Sequence, residues 1–335
     1  MSHSISIGAT EVAFDNPPGQ SVLDAALHAG IELPYSCRKG VCGSCVGGIV
    51  SGEVRGLNGA AIRNDTCGPD QVLYCLCEPV SDVVLQPVSW KRIDPAARKT
   101  FTARVYSNQL AAPDVSVLRL RLPAGQRAKF QAGQYLQILL EDGSARCYSM
   151  ANPPHESDGA TLHIRHVPGG QFSARVAQLA PGDLLQIELP FGNVALATED
   201  PRPIVFVAGG TGFAPVKSIL DDMMKKRVQR DITLIWGARE AGGLYLRPAV
   251  ERWQKQWPGF RFTAALSGAP SDGAFPGRVD EALRSTCGPL AGHVVYCCGS
   301  PAMVTAVRAA ATDKGLAHED FHADVFVPGP SSTPT

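Results

Sequence analysis

Three thiols fall within nine residues of this 335-residue chain, in Cys37-Arg38-Lys39-Gly40-Val41-Cys42-Gly43-Ser44-Cys45. Thiolates at C-x4-C-x2-C spacing, completed by one distant cysteine, form the plant-type ligand set of a 2Fe–2S cluster. Leu73-Tyr74-Cys75-Leu76-Cys77 offers two candidates for the distant thiol. A structural zinc site would pair two short C-x2–4-C knuckles instead, and unligated core cysteines would not require this spacing. Gly40 and Gly43 also suit a cluster, because its sulfurs accept hydrogen bonds from backbone N–H groups and glycine lets the backbone curl close to them. The chain has ten cysteines, but Met1-Ser2-His3-Ser4 shows no export signal, so a disulfide framework is disfavoured and the reducing cytoplasm is expected.

Other stretches carry residue types suited to binding anions. Arg146-Cys147-Tyr148-Ser149 places an Arg and a Tyr on alternate positions of a strand. His163-Ile164-Arg165 follows, and then Gly169-Gly170-Gln171-Phe172-Ser173 is expected to open a helix. A glycine turn feeding a helix start exposes unpaired N–H groups to an anion. The apolar strand Pro203 to Ala208 runs into Gly209-Gly210-Thr211-Gly212 and then Phe213-Ala214-Pro215. Strand, glycine turn and Pro-started helix make a phosphate-cradling unit, although the spacing is not G-x-G-x-x-G. None of the eight histidines falls in a metal-binding pattern.

The elements that must position these groups divide the chain into three. Ile5 to Gly8 and Val12 to Phe14 read as a hairpin, and Ser21 caps a helix whose stripe is Val22, Leu23, Ala26, Leu27 and Ile31. Ile49-Val50 and Val83 to Leu85 read as further strands of a small sheet. Residues 87–99 carry two prolines and several charges without periodicity, and 89–99 read as a linker. Phe101 to Tyr106, Val115 to Leu122, Tyr135 to Leu140, Ala160 to Arg165 and Leu184 to Glu188 are separated by turn residues, as in a small antiparallel barrel. From residue 200 onward strands and helices alternate, as in a doubly wound α/β domain. The expected ranges are 1–88, 100–199 and 200–327, with a Pro/Ser/Thr-rich tail at 328–335 expected to be disordered.

Composition narrows the function classes. Lys plus Arg equals Asp plus Glu, 31 each, so nothing favours nucleic acid or an anionic membrane surface. No apolar run approaches the roughly 18 residues a membrane helix needs. Hydrophobic content of 44% with 19% charged residues is that of an ordinary globular protein.

Cysteine loop, R-x-Y-S and G-G-T-G-F-A-P, in that order, resemble the oxygenase reductases of the ferredoxin–NADP reductase superfamily over essentially the whole chain. The resemblance implies an α+β protein of three domains: a β-grasp 2Fe–2S ferredoxin domain, an antiparallel β-barrel FAD domain and a doubly wound α/β NAD(P) domain. It implies Cys75 as the fourth iron ligand after Cys37, Cys42 and Cys45, since the last ligand in the family follows about 29 residues after the third. Cys67 and Cys77 are then packing residues. Arg146 would neutralise the flavin pyrophosphate, Tyr148 would pack on the isoalloxazine with Cys147 between them, and the Ser149 hydroxyl would lie near flavin N5. His163, Ile164 and Arg165 would flank the flavin, with Gly170 and Ser173 at its pyrophosphate. Gly209, Gly210, Thr211, Gly212 and Pro215 would wrap the nicotinamide nucleotide, and Arg239 would meet a 2′-phosphate, favouring NADPH over NADH. Cys298-Gly299-Ser300-Pro301 resembles the family's C-G-P-P, with Ser300 in place of the first Pro and Cys297 doubling the cysteine. Asp324-Val325-Phe326 resembles a terminal acidic-x-Phe segment whose aromatic covers the flavin, with Asp rather than Glu and further residues after it.

The activity implied is NAD(P)H-dependent electron transfer: hydride to FAD, then single electrons through the cluster to the Rieske oxygenase (α/β subunits) of an aromatic-ring dioxygenase. Plant-type clusters lie near about −400 mV, so backbone hydrogen bonds and the charges of Arg38 and Lys39 are expected to raise the potential. The same two residues are expected to dock the partner, on a monomeric reductase that binds neither nucleic acid nor membrane. The alternatives are a reductase of a soluble di-iron monooxygenase, a reductase acting with a deoxysugar enzyme, and a redox carrier or sensor without turnover.

Overall fold

The computed structural model describes residues 2–94, 98–192, 200–269, 271 and 273–327. The tail expected to be disordered therefore lies outside the described residues, as do positions 95–97 and 193–199. The chain forms two compact units, one ending at Arg98 and the other starting at Lys99.

In the first unit β1 (His3–Ile7) and β2 (Ala13–Asn16) form the expected hairpin. Helix α1 (Val22–His28) starts where the Ser21 hydroxyl accepts from Asp24 N–H at 3.1 Å, which satisfies one orphan donor of the first turn. Its buried Val22, Leu23 and Ala26 lie on the sheet, and Gly30, with φ of +73°, lets the chain leave the helix. Then follow β3 (Ile31–Glu32), β4 (Val46–Ser51), β5 (Val54–Gly56), β6 (Gln71–Leu73), β7 (Cys77–Pro79), β8 (Val83–Pro87) and β9 (Lys91–Arg92). The main sheet runs β2-β1-β8-β4-β6, with β1 and β8 parallel. This is the β-grasp arrangement, and the cysteine loop spans the gap between β3 and β4. The stretch expected to be a linker begins differently. Its β9 pairs with β3, the Ile93 N–H donates to Gly30 O at 2.8 Å, and Trp90 and Ile93 pack against the core.

The second unit opens with β10 (Lys99–Ala112), β11 (Val115–Arg121), β12 (Tyr135–Leu139), β13 (Ala145–Ser149), β14 (Gly159–Arg165) and β15 (Leu184–Phe191). They pair in the order β13-β12-β15-β10-β11-β14, and an antiparallel bridge from Met150 to Leu162 joins the two outer strands. Inward residues alternate along the strands: Leu118, Leu136, Ile138, Leu162, Ile164 and Ile187 are fully buried. No α-helix opens at Gly169. Residues 169–175 form turns, and a single 3-10 turn spans Val176–Gln178 before Pro181 and Gly182 end it.

The rest of this unit is β16 (Ile204–Gly209), α2 (Phe213–Lys225), β17 (Ile232–Ala238), α3 (Arg247–Gln256), β18 (Phe260–Leu266), β19 (Phe275–Pro276), α4 (Val279–Thr286), β20 (Val294–Gly299), α5 (Pro301–Asp313) and β21 (Phe321–Val325). All strands are parallel, in the order β19-β18-β17-β16-β20-β21, so the order reverses beside β16. A doubly wound sheet binds its ligand at such a switch point, beyond the carboxyl ends of the strands. The core there includes Phe213 stacked on Trp236, ring centroids 3.8 Å apart, a pairing worth about 1 kcal/mol beyond its buried area.

Candidate functional site

The cysteine loop is shaped by left-handed residues. Arg38, Gly40 and Gly43 have φ of +53°, +73° and +74°. Alternation of left- and right-handed residues turns successive N–H groups toward one concavity, a nest for negative charge. Cys37 Sγ accepts from the N–H groups of Lys39 and Cys42 at 3.4 Å each, and Cys42 Sγ accepts from Ser44 N–H at 3.4 Å. A Cβ on Gly40 would overlap the Leu76 side chain, and one on Gly43 would lie 2.8 Å from Thr66 Cβ. The Arg38 side chain forms an ion pair with Asp24.

The thiols stand as two pairs. Cys45 Sγ donates to Cys75 Sγ at 3.2 Å, and the Cys42 thiol donates to Cys37. That hydrogen bond, helped by backbone N–H groups, holds Cys37 at about 6, while its donor Cys42 is pushed up. Cys75 is likewise lowered by its partner and Cys45 raised. Two pairs suit a cluster in which each of two irons takes two thiolates. Cys77 is fully buried on β7 beside Gly56, and half-buried Cys67 donates to Asn64 Oδ1 at 3.8 Å.

In the second unit, β13 presents Arg146 and Tyr148 on one edge of the barrel. Arg146 bonds Gln171 Oε1 and the Ala145 carbonyl (2.9 Å), which ties it to the Gly169–Ser173 turn. The Tyr148 ring lies tilted against Phe172, centroids 5.7 Å apart, and burial pushes its phenol up. Cys147 points outward to Gln137. A Cβ on Gly170 would overlap Ser173 Oγ, so backbone and hydroxyl make one tight concave surface.

Ser149 is buried and its hydroxyl donates to Asp324 Oδ2 at 3.4 Å. Cys298 lies opposite Asp324 in the β20–β21 register, and burial, reinforced by that carboxylate, pushes its thiol well up. Residues from the barrel and from the α/β sheet thus converge on one point. Asp324, the acid of the terminal acidic-x-Phe segment, joins this point through its carboxylate, a role the sequence reading does not give it. Phe326 follows, its N–H donating to Gly299 O at 2.8 Å, and its ring is half-buried against the α/β core. Cys297 is fully buried.

The Gly209–Gly212 turn is tight on every side. A Cβ on Gly209 would strike the Met303 sulfur, one on Gly210 would lie 2.7 Å from Arg165 Nη2, and one on Gly212 would overlap the Cys298 carbonyl. Arg165, ion-paired to Asp114 at 3.3 Å, therefore reaches over the glycine turn. Thr211 is half-buried and Pro215 buried in α2. Arg239 is exposed beyond β17, and its carbonyl accepts from Gly268 N–H at 2.9 Å.

Ile164 has no exposed surface and lies in the barrel core. His163 packs against Phe213 and Tyr245, whose hydroxyl is 3.0 Å from Nδ1, so this side chain joins the barrel to the α/β sheet. Burial, with Lys217 nearby, depresses its pKa to about 3, against an unfolded value of about 6.5. The unfolded chain therefore binds more protons between those limits. Stability from this site is complete above about pH 6.5 and lost as pH falls, by roughly 1.4 kcal/mol per unit. Denaturant titrations over that window will show a flatter acid limb for His163→Gln than for wild type.

Fold and site define a class: an oxidoreductase with a thiolate cluster loop, a barrel suited to a flavin and a switch-point glycine turn suited to a dinucleotide. Family models agree, matching a 2Fe-2S iron-sulfur cluster binding domain at 5–80, an oxidoreductase FAD-binding domain at 102–196 and an oxidoreductase NAD-binding domain at 206–309. The chain is 62% identical over 334 residues to the terephthalate 1,2-dioxygenase reductase component 2 of a Comamonas species, covering 99% of each. It is 34% identical to the CDP-6-deoxy-L-threo-D-glycero-4-hexulose-3-dehydrase reductase of Yersinia pseudotuberculosis, covering 98% of this chain and 99% of that one. The solved Amycolatopsis cytochrome P450 reductase GcoB superposes with a TM-score of 0.78 at 30% identity, covering 97% of this chain and 99% of that one. The chain belongs to the ferredoxin–NADP reductase superfamily, among the reductases that carry an N-terminal 2Fe–2S domain. Its cofactors are a 2Fe–2S cluster, FAD and NAD(P)H.

Proposed function

We propose that this protein is the NAD(P)H-dependent reductase component of an aromatic-ring Rieske dioxygenase of the terephthalate type. The observation that carries this reading is the end-to-end likeness to the Comamonas reductase component, which spans all three domains. When bound, FAD takes electrons from NAD(P)H in pairs and the cluster takes them singly.

The chain's own residues supply positioning and electrostatics. Cys37, Cys42, Cys45 and Cys75 would hold the cluster, which would supply one-electron transfer. Arg146, Gly170 and Ser173 hold the flavin pyrophosphate, Tyr148 packs on its ring, and Ser149 offers a hydroxyl oriented by Asp324. Gly209 to Gly212, with Arg165 above Gly210, take the coenzyme phosphates. Cys298 backs the nicotinamide side, and Phe326 covers the flavin face until coenzyme arrives. Arg239 meets the 2′-phosphate of NADPH. The domain limits are read at residues 88, 100 and 200, and the setting as a cytoplasmic monomer. Among the described residues no helix is long and apolar enough to cross a membrane.

The partner, a terminal Rieske oxygenase, docks near the cluster loop. Arg38 is half-buried and engaged by Asp24, which leaves the exposed Lys39 as the more available charge. Reconstitution with a terephthalate oxygenase is the test. Coupled NADPH oxidation and substrate dihydroxylation are expected, and Lys39→Glu should slow them while ferricyanide reduction continues. Coupling only with a deoxysugar dehydrase would sink the oxygenase reading in favour of the Yersinia-like one.

A further inference from the structure

Asn64, between β5 and β6, has no part in the functions described above. Its loop is anchored where the Leu73 N–H donates to Ile62 O at 2.7 Å. Asn64 Oδ1 accepts from Thr66 N–H at 2.9 Å and from the Thr66 hydroxyl. Asn64 Nδ2 donates to the Gly40 carbonyl, 24 residues away in sequence, at 2.8 Å. The amide orientation is unambiguous, because the Thr66 N–H can only donate and the Gly40 carbonyl can only accept.

Gly40 sits between two peptide units that each face a ligand sulfur. On either side of it the N–H groups of Lys39 and Cys42 donate to Cys37 Sγ at 3.4 Å each. In a trans peptide the carbonyl and the following N–H point to opposite sides. Holding the Gly40 carbonyl therefore fixes the peptide plane that Gly40 shares with Val41. A glycine at φ of +73° is the residue least able to fix that plane by its own sterics. The restraint has to come from outside, and Leu76 below Gly40 supplies only packing.

We infer that Asn64 is a positioning residue for the 2Fe–2S cluster: by pinning the Gly40 carbonyl it fixes the peptide plane between the Lys39 and Cys42 N–H groups that donate to Cys37 Sγ, and so sets the cluster's reduction potential. Hydrogen bonds to cluster sulfurs favour the more negative, reduced state, so their loss makes the potential more negative. The inference rests on the ligand assignment of Cys37, Cys42, Cys45 and Cys75. Failure of that reading would appear in the wild type, as a missing cluster signal, before any variant is compared.

The test is a dye-mediated potentiometric titration of the full chain, followed by EPR. Asn64→Ser keeps an oxygen for the Thr66 N–H but is too short to span to Gly40. Asn64→Asp keeps size and the Thr66 contact but offers no donor; its added charge is screened by repeating the titration at high salt. Both variants are expected to show a more negative midpoint. At the wild-type midpoint the ratio of reduced to oxidised cluster should drop about tenfold, which is about 59 mV for a one-electron couple. The iron–cysteine Raman bands should also lose part of their shift in D2O. An unshifted midpoint in either loaded variant overturns the proposal. So does failure of both variants to load a cluster, which would assign Asn64 to loop folding instead.

Discussion

Cys75→Ser yields a chain without the visible absorbance and EPR signal of a 2Fe–2S centre, whereas Cys77→Ala yields one that carries both. The two cysteines are two residues apart and equally thiol in character, so only placement separates them. Cys75 Sγ lies 3.2 Å from Cys45 Sγ at the mouth of the cysteine loop. Cys77 is fully buried in the core, paired through β7 with Gly56. Removing its sulfur deletes a small buried group, at a cost of roughly 1 kcal/mol, while removing the Cys75 ligand would leave three thiolates for the cluster's four ligand positions. Metal-to-protein stoichiometry measured after anaerobic reconstitution decides between them. A normal cluster in Cys75→Ser would reassign the fourth ligand.

Gly212→Ala is the second large effect. The added methyl would overlap the Cys298 carbonyl oxygen and lie 2.7 Å from its carbonyl carbon. Both are backbone atoms of a central strand, so the glycine turn has to move instead. A displacement of about 1 Å in a positioning loop costs on the order of a hundredfold in rate. NADPH–ferricyanide kcat/KM should fall by about that factor, with FAD content unchanged because Arg146, Tyr148 and Ser173 lie on other elements. The same assay with both coenzymes checks Arg239, since Arg239→Ala should erode the preference for NADPH over NADH. Unaltered kinetics in Gly212→Ala would remove the turn from the coenzyme site.

What could be read from the chain without coordinates was whatever is local. The cysteine spacing, the glycine turn after an apolar strand and the R-x-Y-S strand each sit within about ten residues, and the three sheets follow from the same short-range periodicities. What escaped depends on distant pairing. Two-residue β9 has no apolar period of its own and exists because β3 offers an edge. His163 reads as a sheet residue until Phe213, at the start of α2, and Tyr245, before α3, meet it from the α/β half of the unit. Asn64 looks like any loop asparagine until its amide is found on Gly40. Helix α4 was overlooked for a different reason. Val279, Ala282 and Leu283 carry the right stripe, but over too short a span between Pro276-Gly277 and Cys287-Gly288 to stand out. In place of the helix expected at Gly169 the chain forms turns and one 3-10 turn at Val176–Gln178.

Those long-range contacts also sharpen the chemistry of the second unit. Ser149 alone is a hydroxyl on a strand. Joined to Asp324 and set beside Cys298, it becomes a hydroxyl whose proton has a fixed acceptor, at a point shared by the barrel and the α/β sheet.

The central claim is that electrons from NAD(P)H reach the cysteine-loop cluster through this one chain. Anaerobic titration of the fully loaded protein with NADPH, followed by low-temperature EPR, tests it most directly. The account predicts a rhombic signal of a reduced 2Fe–2S centre approaching one spin per chain. Bleaching of the flavin with a cluster that stays oxidised and EPR-silent would contradict it.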